Sequence, residues 1–292
     1  MNTLRKNPTM TRTIPLLLAL ALPTSATAAA SLPTDELEGR TKSQRAAEST
    51  PEIDRPVKLI AEFGTALARG NTEVFHINGD GRLILAPGAD WVLETRARAL
   101  YETSKGEEIA NNWLVSERAD RFLSQRFSLF AAAAIERNVF SGLDRRLSGQ
   151  LGAAFLAWES RDAEADDLIT NRLRLEIGFY GAREDLTLPP RSPPDAVLEE
   201  SMRRIYAARA AASYVHAISK NSSAGVDVEV IQDFVDTANV VVNSSVYVAA
   251  ALAEGFALKI TAAHHFDNVP PPADPPLKKS DWLLTAGLVV SL

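Results

Sequence analysis

The sequence predicts an all-β chain: an antiparallel up-and-down transmembrane β-barrel of about 12 strands, preceded by a signal peptide and a flexible periplasmic segment. Three observations predict it. From Val57 onward, apolar and polar residues alternate with a period of two. The alternating segments run to ~10–16 residues, longer than strands of soluble sheets. The connections between them alternate short and long, the asymmetry of a barrel with tight periplasmic turns and long external loops.

The first 30 residues read as a targeting segment. Arg5, Lys6 and Arg12 form a basic region, Ile14 to Leu22 an apolar core, and Ala26-Thr27-Ala28-Ala29-Ala30 a small-residue run. That order is a secretory signal peptide, with cleavage expected near Ala28 or Ala30. The alternative is a transmembrane anchor, and the apolar run is about half the length of a spanning helix, which argues against it. Residues 31–56 are polar, mixed in charge and interrupted by Pro33, Pro51 and Pro56. They read as a periplasmic linker. Residues 57–292 form the barrel.

Within the barrel, Trp91 to Glu102 shows the pattern plainly. Trp91, Leu93, Thr95, Ala97, Ala99 and Tyr101 share one parity; Glu94, Arg96, Arg98 and Glu102 share the other. A strand sends these sets to opposite faces, whereas a helix would scatter the charges around its axis. Leu173, Leu175, Ile177 and Phe179 alternate in the same way with Arg172, Arg174 and Glu176. Strands are expected near 57–69, 72–86, 90–104, 108–122, 126–138, 144–158, 168–184, 201–217, 223–235, 238–252, 256–267 and 279–292. Pro87-Gly88-Ala89, Ser124-Gln125, Lys220-Asn221 and Glu254-Gly255 are read as tight turns, and the proline-rich 186–199 and 268–278 as long outer loops. The alanine-rich Phe130–Ile135 and Ala207–Ser219 are helical by propensity, against the alternation around them. The final strand carries Leu284, Ala286, Leu288, Val290 and Leu292 on one face, the apolar signal expected to engage the barrel assembly machinery.

Several stretches resemble a known bacterial family. They are Gly70-Asn71-Thr72, Phe122 to Arg126, the block Glu136 to Ser148, and the proline-rich Asn268 to Pro276 with Lys278 and Lys279 before the last strand. Together they are similar to the YdiY-like, so-called salt-induced outer membrane proteins, which carry domain of unknown function 481. The resemblance covers roughly Leu59 to Leu292. The chain departs from it in its terminal Leu292 and in a longer loop at 186–199. The resemblance implies an outer-membrane barrel and transfers no catalytic residue.

Composition bounds the chemistry. There are 31 Lys+Arg against 37 Asp+Glu, a net charge of −6, and no cysteine. The acidic balance argues against nucleic acid as a partner. Without cysteine there is no disulfide, thiolate metal site or cysteine nucleophile. No cofactor and no metal site is expected, and the expected partners are outer-membrane lipids.

The candidate site is a lumen-facing charge network of Glu94, Arg96, Arg98, Arg118, Asp120, Glu136, Arg146, Arg172, Arg174, Glu176, Arg209 and Glu229. Such a lining suits either a narrow pore or a plugged lumen, and charges of both signs in a confined space attract strongly, which favours plugging. The acidic run Asp162, Glu164, Asp166 and Asp167 reads as a solvated turn. His264 with Ser280 on the neighbouring strand is the candidate for membrane-facing hydrolysis; Ser213 and His216 face opposite sides of one strand. The expected function is a non-enzymatic narrow channel or a structural, stress-related envelope barrel. A lipid- or lipopolysaccharide-modifying barrel enzyme and an adhesin acting through its external loops are the alternatives.

Overall fold

The computed structural model describes residues 57–68, 74–88, 90–162, 168–188, 192, 201–219, 221–253, 256–270 and 277–291. The expected signal peptide over 1–30 and the linker over 31–56 lie outside them.

Twelve antiparallel strands close into a barrel: β1 (Val57–Ala68), β2 (Val74–Gly88), β3 (Trp91–Ser104), β4 (Glu107–Phe122), β5 (Phe127–Asn138), β6 (Leu143–Asp162), β7 (Leu168–Leu186), β8 (Met202–Ser219), β9 (Ser222–Asp233), β10 (Val240–Ala253), β11 (Phe256–Asp267) and β12 (Ser280–Ser291). Each strand pairs with its neighbours in sequence, and β1 closes on β12 from Ile60↔Ser291 to Phe63↔Leu288. An even strand number brings the start of β1 and the end of β12 to one end of the barrel. The turns at 123–126 and 220–221 share that end, and the long connections 187–201 and 268–279 share the other.

The alternation becomes an inverted burial pattern. Along β3, Glu94, Arg96 and Arg98 are buried while Trp91, Ala97, Ala99 and Tyr101 face out. Ile177 and Phe179 on β7 are each 69% exposed, whereas Arg96 and Asp120 are 0% exposed. A water-soluble sheet would reverse this, because exposing large apolar side chains to water is costly. Only a hydrocarbon surrounding makes the arrangement favourable.

Local chemistry sets the turns. Between β3 and β4, Lys105 (φ 52°) and Gly106 (φ 80°) both take positive φ. Two such residues match the right-handed twist of the flanking strands, and Gly tolerates the conformation without steric cost. Between β5 and β6, a 3₁₀ turn at Val139–Ser141 is capped by Asn138, whose Oδ1 accepts from the Ser141 amide at 3.3 Å. Gly142 (φ 77°) ends it. This turn lies inside the Glu136–Ser148 block.

Two boundaries differ from the sequence reading, and the alanine-rich strands agree with it. Pro87 and Gly88 belong to β2, not to a turn; a register shift between Leu85 and Gly88 places the proline where the ladder requires no donor. β6 extends to Asp162, which pairs with Leu168, so that member of the acidic run is in a strand; Glu164, Asp166 and Asp167 lie outside the described residues. The alanine-rich Phe130–Ile135 and Ala207–Ser219 are strands, because β5 and β8 are each paired on both edges. Ladder bonds on two sides outweigh a helix propensity of a few tenths of a kcal/mol per residue, about the size of these differences.

A closed barrel has no free edge at which unfolding starts. Unboiled protein is therefore expected to migrate differently from boiled protein on a detergent gel, with a β-type circular dichroism spectrum. Identical migration of the two would contradict closure.

Candidate functional site: the charged lumen

Because strands alternate, the inward parity of each strand delivers its polar residues to the lumen. All twelve candidate residues are buried on that inner face, none more than 7% exposed. The structure divides them into groups.

The central group is one connected chain. Arg118 on β4 donates through Nε to Asp120 Oδ2 at 2.6 Å and through Nη2 to Glu176 Oε1 on β7 at 2.8 Å. Arg174 donates through Nη2 to Asp120 Oδ1 at 3.1 Å and through Nε to Glu176 Oε1 at 3.3 Å. Arg209 on β8 bridges Glu176 Oε2 at 2.8 Å and Glu229 Oε1 on β9 at 2.5 Å. Asn243 on β10 donates to Glu229 Oε2 at 2.8 Å, and its Oδ1 lies 2.7 Å from His265 Nδ1 on β11. The chain thus crosses the barrel from β4 to β11. The guanidinium of Arg118 also stacks over the Phe130 ring, 4.1 Å from its centre.

That ring lies inside because glycine makes room for it. A Cβ on Gly152 would stand 2.7 Å from the Phe130 ring, and one on Gly225 would stand 2.2 Å from the Tyr247 ring. Glycine within a strand here permits an inward aromatic to lie flat against the wall.

A second group lies toward the end opposite the termini. Arg146 donates to Glu136 Oε1 at 2.5 Å and to Glu184 Oε1 at 2.7 Å. Arg203 donates to Glu184 Oε2 at 2.6 Å and to the carbonyl of Val269, in the β11–β12 connection, at 2.8 Å. A third group lies on β2 and β3, where Arg96 forms a two-pronged ion pair with Asp80. There Glu94 lies 3.8 Å from Arg82 and makes no hydrogen bond among the described residues. Arg98 lies on the same inner face, and Arg172 donates to Glu159 at 2.9 Å.

The sequence reading omitted Glu184, Arg203, Asn243 and His265 from this network. Glu184 continues the parity of Arg172, Arg174 and Glu176 along β7, so its signal was present. Arg203 shares parity with Arg209 on β8. The role of His265 rests on the register Asn243↔His265, which no one strand encodes.

The histidine candidates separate cleanly. Ser213 points inward and donates to Asp227 at 2.6 Å; His216 points outward to Asn171 at 2.9 Å. His264 and Ser280 do meet, with Nε2 2.8 Å from Oγ. His264 is stacked on Trp282, ring centres 4.3 Å apart, and among the described residues no carboxylate or amide orients its other nitrogen. The pair therefore lacks the third member by which a serine–histidine pair is usually held in its reactive tautomer. Among the described residues no cluster of His, Asp and Glu has the arrangement of a metal site.

No curated protein matches the chain. Among solved structures, the NanC porin is 8% identical with a TM-score of 0.46, covering 80% of this chain and 98% of its own. The KdgM porin in complex with disordered oligogalacturonate is 8% identical with a TM-score of 0.42, covering 80% and 99%. The translocator domain of the autotransporter NalP from Neisseria meningitidis is 9% identical with a TM-score of 0.43, covering 91% and 99%. The model of DUF481, described as a protein of unknown function, matches residues 61–292. That match takes in nearly the whole barrel, from the middle of β1 through β12, and the chain belongs to the DUF481 family.

Proposed function

We propose that this chain is an outer-membrane envelope barrel whose resting lumen is closed by its own ion pairs, and that it passes no hydrated solute in that state. The observation that carries this reading is the unbroken chain of side-chain bonds from Arg118 to His265 across the barrel. Asp120, Glu229 and Asn243 within it are 0% exposed even to water. A conducting pore needs lumen charges that meet water or ions; here they meet each other. Twelve strands lie between small barrels that side chains fill and large ones that hold a channel. In this chain the bulk of six central arginines and carboxylates, with Phe130 and Tyr247, takes up the width.

The outer-membrane location is supported by the apolar exterior and the even, closed strand order. The orientation that follows places the chain termini in the periplasm and the connections 187–201 and 268–279 outside. The outward face of β12, with Trp282, Leu284, Ala286 and Leu288, is the surface we assign to the assembly machinery.

Planar-bilayer recording of the purified, heat-modifiable protein tests the closed lumen. Silence at neutral pH and moderate salt is expected. Reproducible conductance steps from the unaltered chain would overturn it and return the narrow-channel reading.

A further inference from the structure

The outward face of β4 reads Trp113, Val115, Glu117, Ala119 and Arg121. Glu117 stands four residues from both the tryptophan and the arginine that mark the ends of this run, which places it midway across the apolar belt. Other outward charges, such as Arg137, Arg145 and Arg204, stand near strand ends. A carboxylate facing hydrocarbon is costly, and such residues mark sites of function more often than accidents. Glu117 has one hydrogen-bond partner among the described residues: Thr95 Oγ1 donates to its Oε2 at 3.0 Å.

Beside it the barrel wall is hollowed. A groove of about 660 Å³, almost wholly apolar, opens on the outer surface next to Glu117. Its floor follows one row of cross-strand pairs, Glu117↔Ala133, Ala133↔Gly149 and Gly149↔Gly181, where side chains are smallest. Phe179, Tyr206 and Phe234 rise as its far wall. A mainly apolar cavity of a few hundred Å³ with one placed polar group is the usual form of a small-ligand site.

We propose that this groove binds, from the lipid phase, an amphiphile with a hydrocarbon body and a primary amine. The ammonium donates to Glu117, and the body lies along the Ala133–Gly149–Gly181 row against Phe179. Charge complementarity selects the amine. In a low dielectric an ammonium answers the carboxylate with a charge-assisted hydrogen bond, which neither a plain acyl chain nor an alcohol equals. A second copy of the chain fits less well. A two-fold contact about Glu117 would set the two carboxylates against each other and leave the facing hollows unfilled. The proposal rests on the outer wall facing lipid and is independent of whether the lumen is closed.

The test uses the full barrel in lipid nanodiscs and a photoreactive dodecylamine, with the matching dodecanol as control. Heat-modifiable migration is checked first, so a chain that never forms a membrane barrel is recognised as a failure of that reading and not of the site. Amine labelling is expected to concentrate on peptides carrying Ala133, Gly149 or Gly181, at least fivefold above the alcohol. Glu117→Gln should abolish that preference. Gly149→Leu should lower labelling by both probes, since a Cβ there would meet only the Ala132 carbonyl oxygen at 3.9 Å, an ordinary contact, and the leucine fills the groove without straining the wall. Labelling spread evenly around the barrel, equal labelling by the alcohol, or an amine preference that survives Glu117→Gln would each overturn the proposal. So would efficient disulfide formation between two copies carrying Glu117→Cys, which would assign the face to a second copy.

Discussion

Glu176→Ala is expected to destabilise the barrel by about 3–5 kcal/mol, the usual cost of removing one partner from a buried ion network. Glu176 is shared by three guanidiniums: Arg118 at 2.8 Å, Arg209 at 2.8 Å and Arg174 at 3.3 Å. Without it these cations keep their mutual repulsion and lose the one carboxylate that all three share. Asp120 still pairs with Arg118 and Arg174, and Glu229 with Arg209, but the carboxylate that joins these two arms is gone. The loss should be read as a lower urea midpoint for the heat-modifiable form. The double variant Glu176→Ala, Arg209→Ala should be less destabilised than the sum of the two single ones, because Glu176 and Arg209 contact each other and each single change already loses that pair. A Glu176→Ala barrel as resistant as the unaltered one would show that the lumen is hydrated enough to dispense with the pairing, and the closed-lumen reading would fall with it.

The second large effect lies one residue away and on the other face. Ile177→Arg is expected to cost about 2–4 kcal/mol, the penalty for a cation on the lipid face near the midplane of a barrel. Ile177→Ala should be nearly neutral, since mobile lipid fills the space a smaller side chain vacates. The contrast is with Phe130→Ala in the lumen, where the wall is fixed and the Arg118 guanidinium loses its aromatic face. A cavity there should cost about 3–5 kcal/mol, as for other buried aromatics. Equilibrium unfolding from detergent or lipid compares the three. If Ile177→Ala proves as damaging as Phe130→Ala, the outer face of β7 is covered by protein rather than lipid.

The twelve-strand architecture was legible because period-two alternation is a local property of the chain. In Arg172-Leu173-Arg174-Leu175-Glu176-Ile177 the parity alone separates the two faces, and it also placed the Ala-rich β5 and β8 correctly against their helix propensity. Glu117 was equally legible in principle, since it shares parity with Trp113 and Ala119. Parity says which face a residue occupies and nothing about what stands beside it there. Arg118 and Glu176 are 58 residues apart and meet only because both reach the barrel interior from strands three places apart. Whether an inward arginine pairs or lines open water depends on barrel width and on the register of strands distant in sequence. The same holds for the groove, which exists because Ala133, Gly149 and Gly181 fall on one row. The sequence by itself determined the strands, their faces and the lipid surroundings, because each follows from side-chain chemistry repeated along a single strand. Only the tertiary structure decided that the lumen charges pair with one another and that the wall is hollowed beside Glu117, because both depend on distances between strands, which closure of the barrel sets.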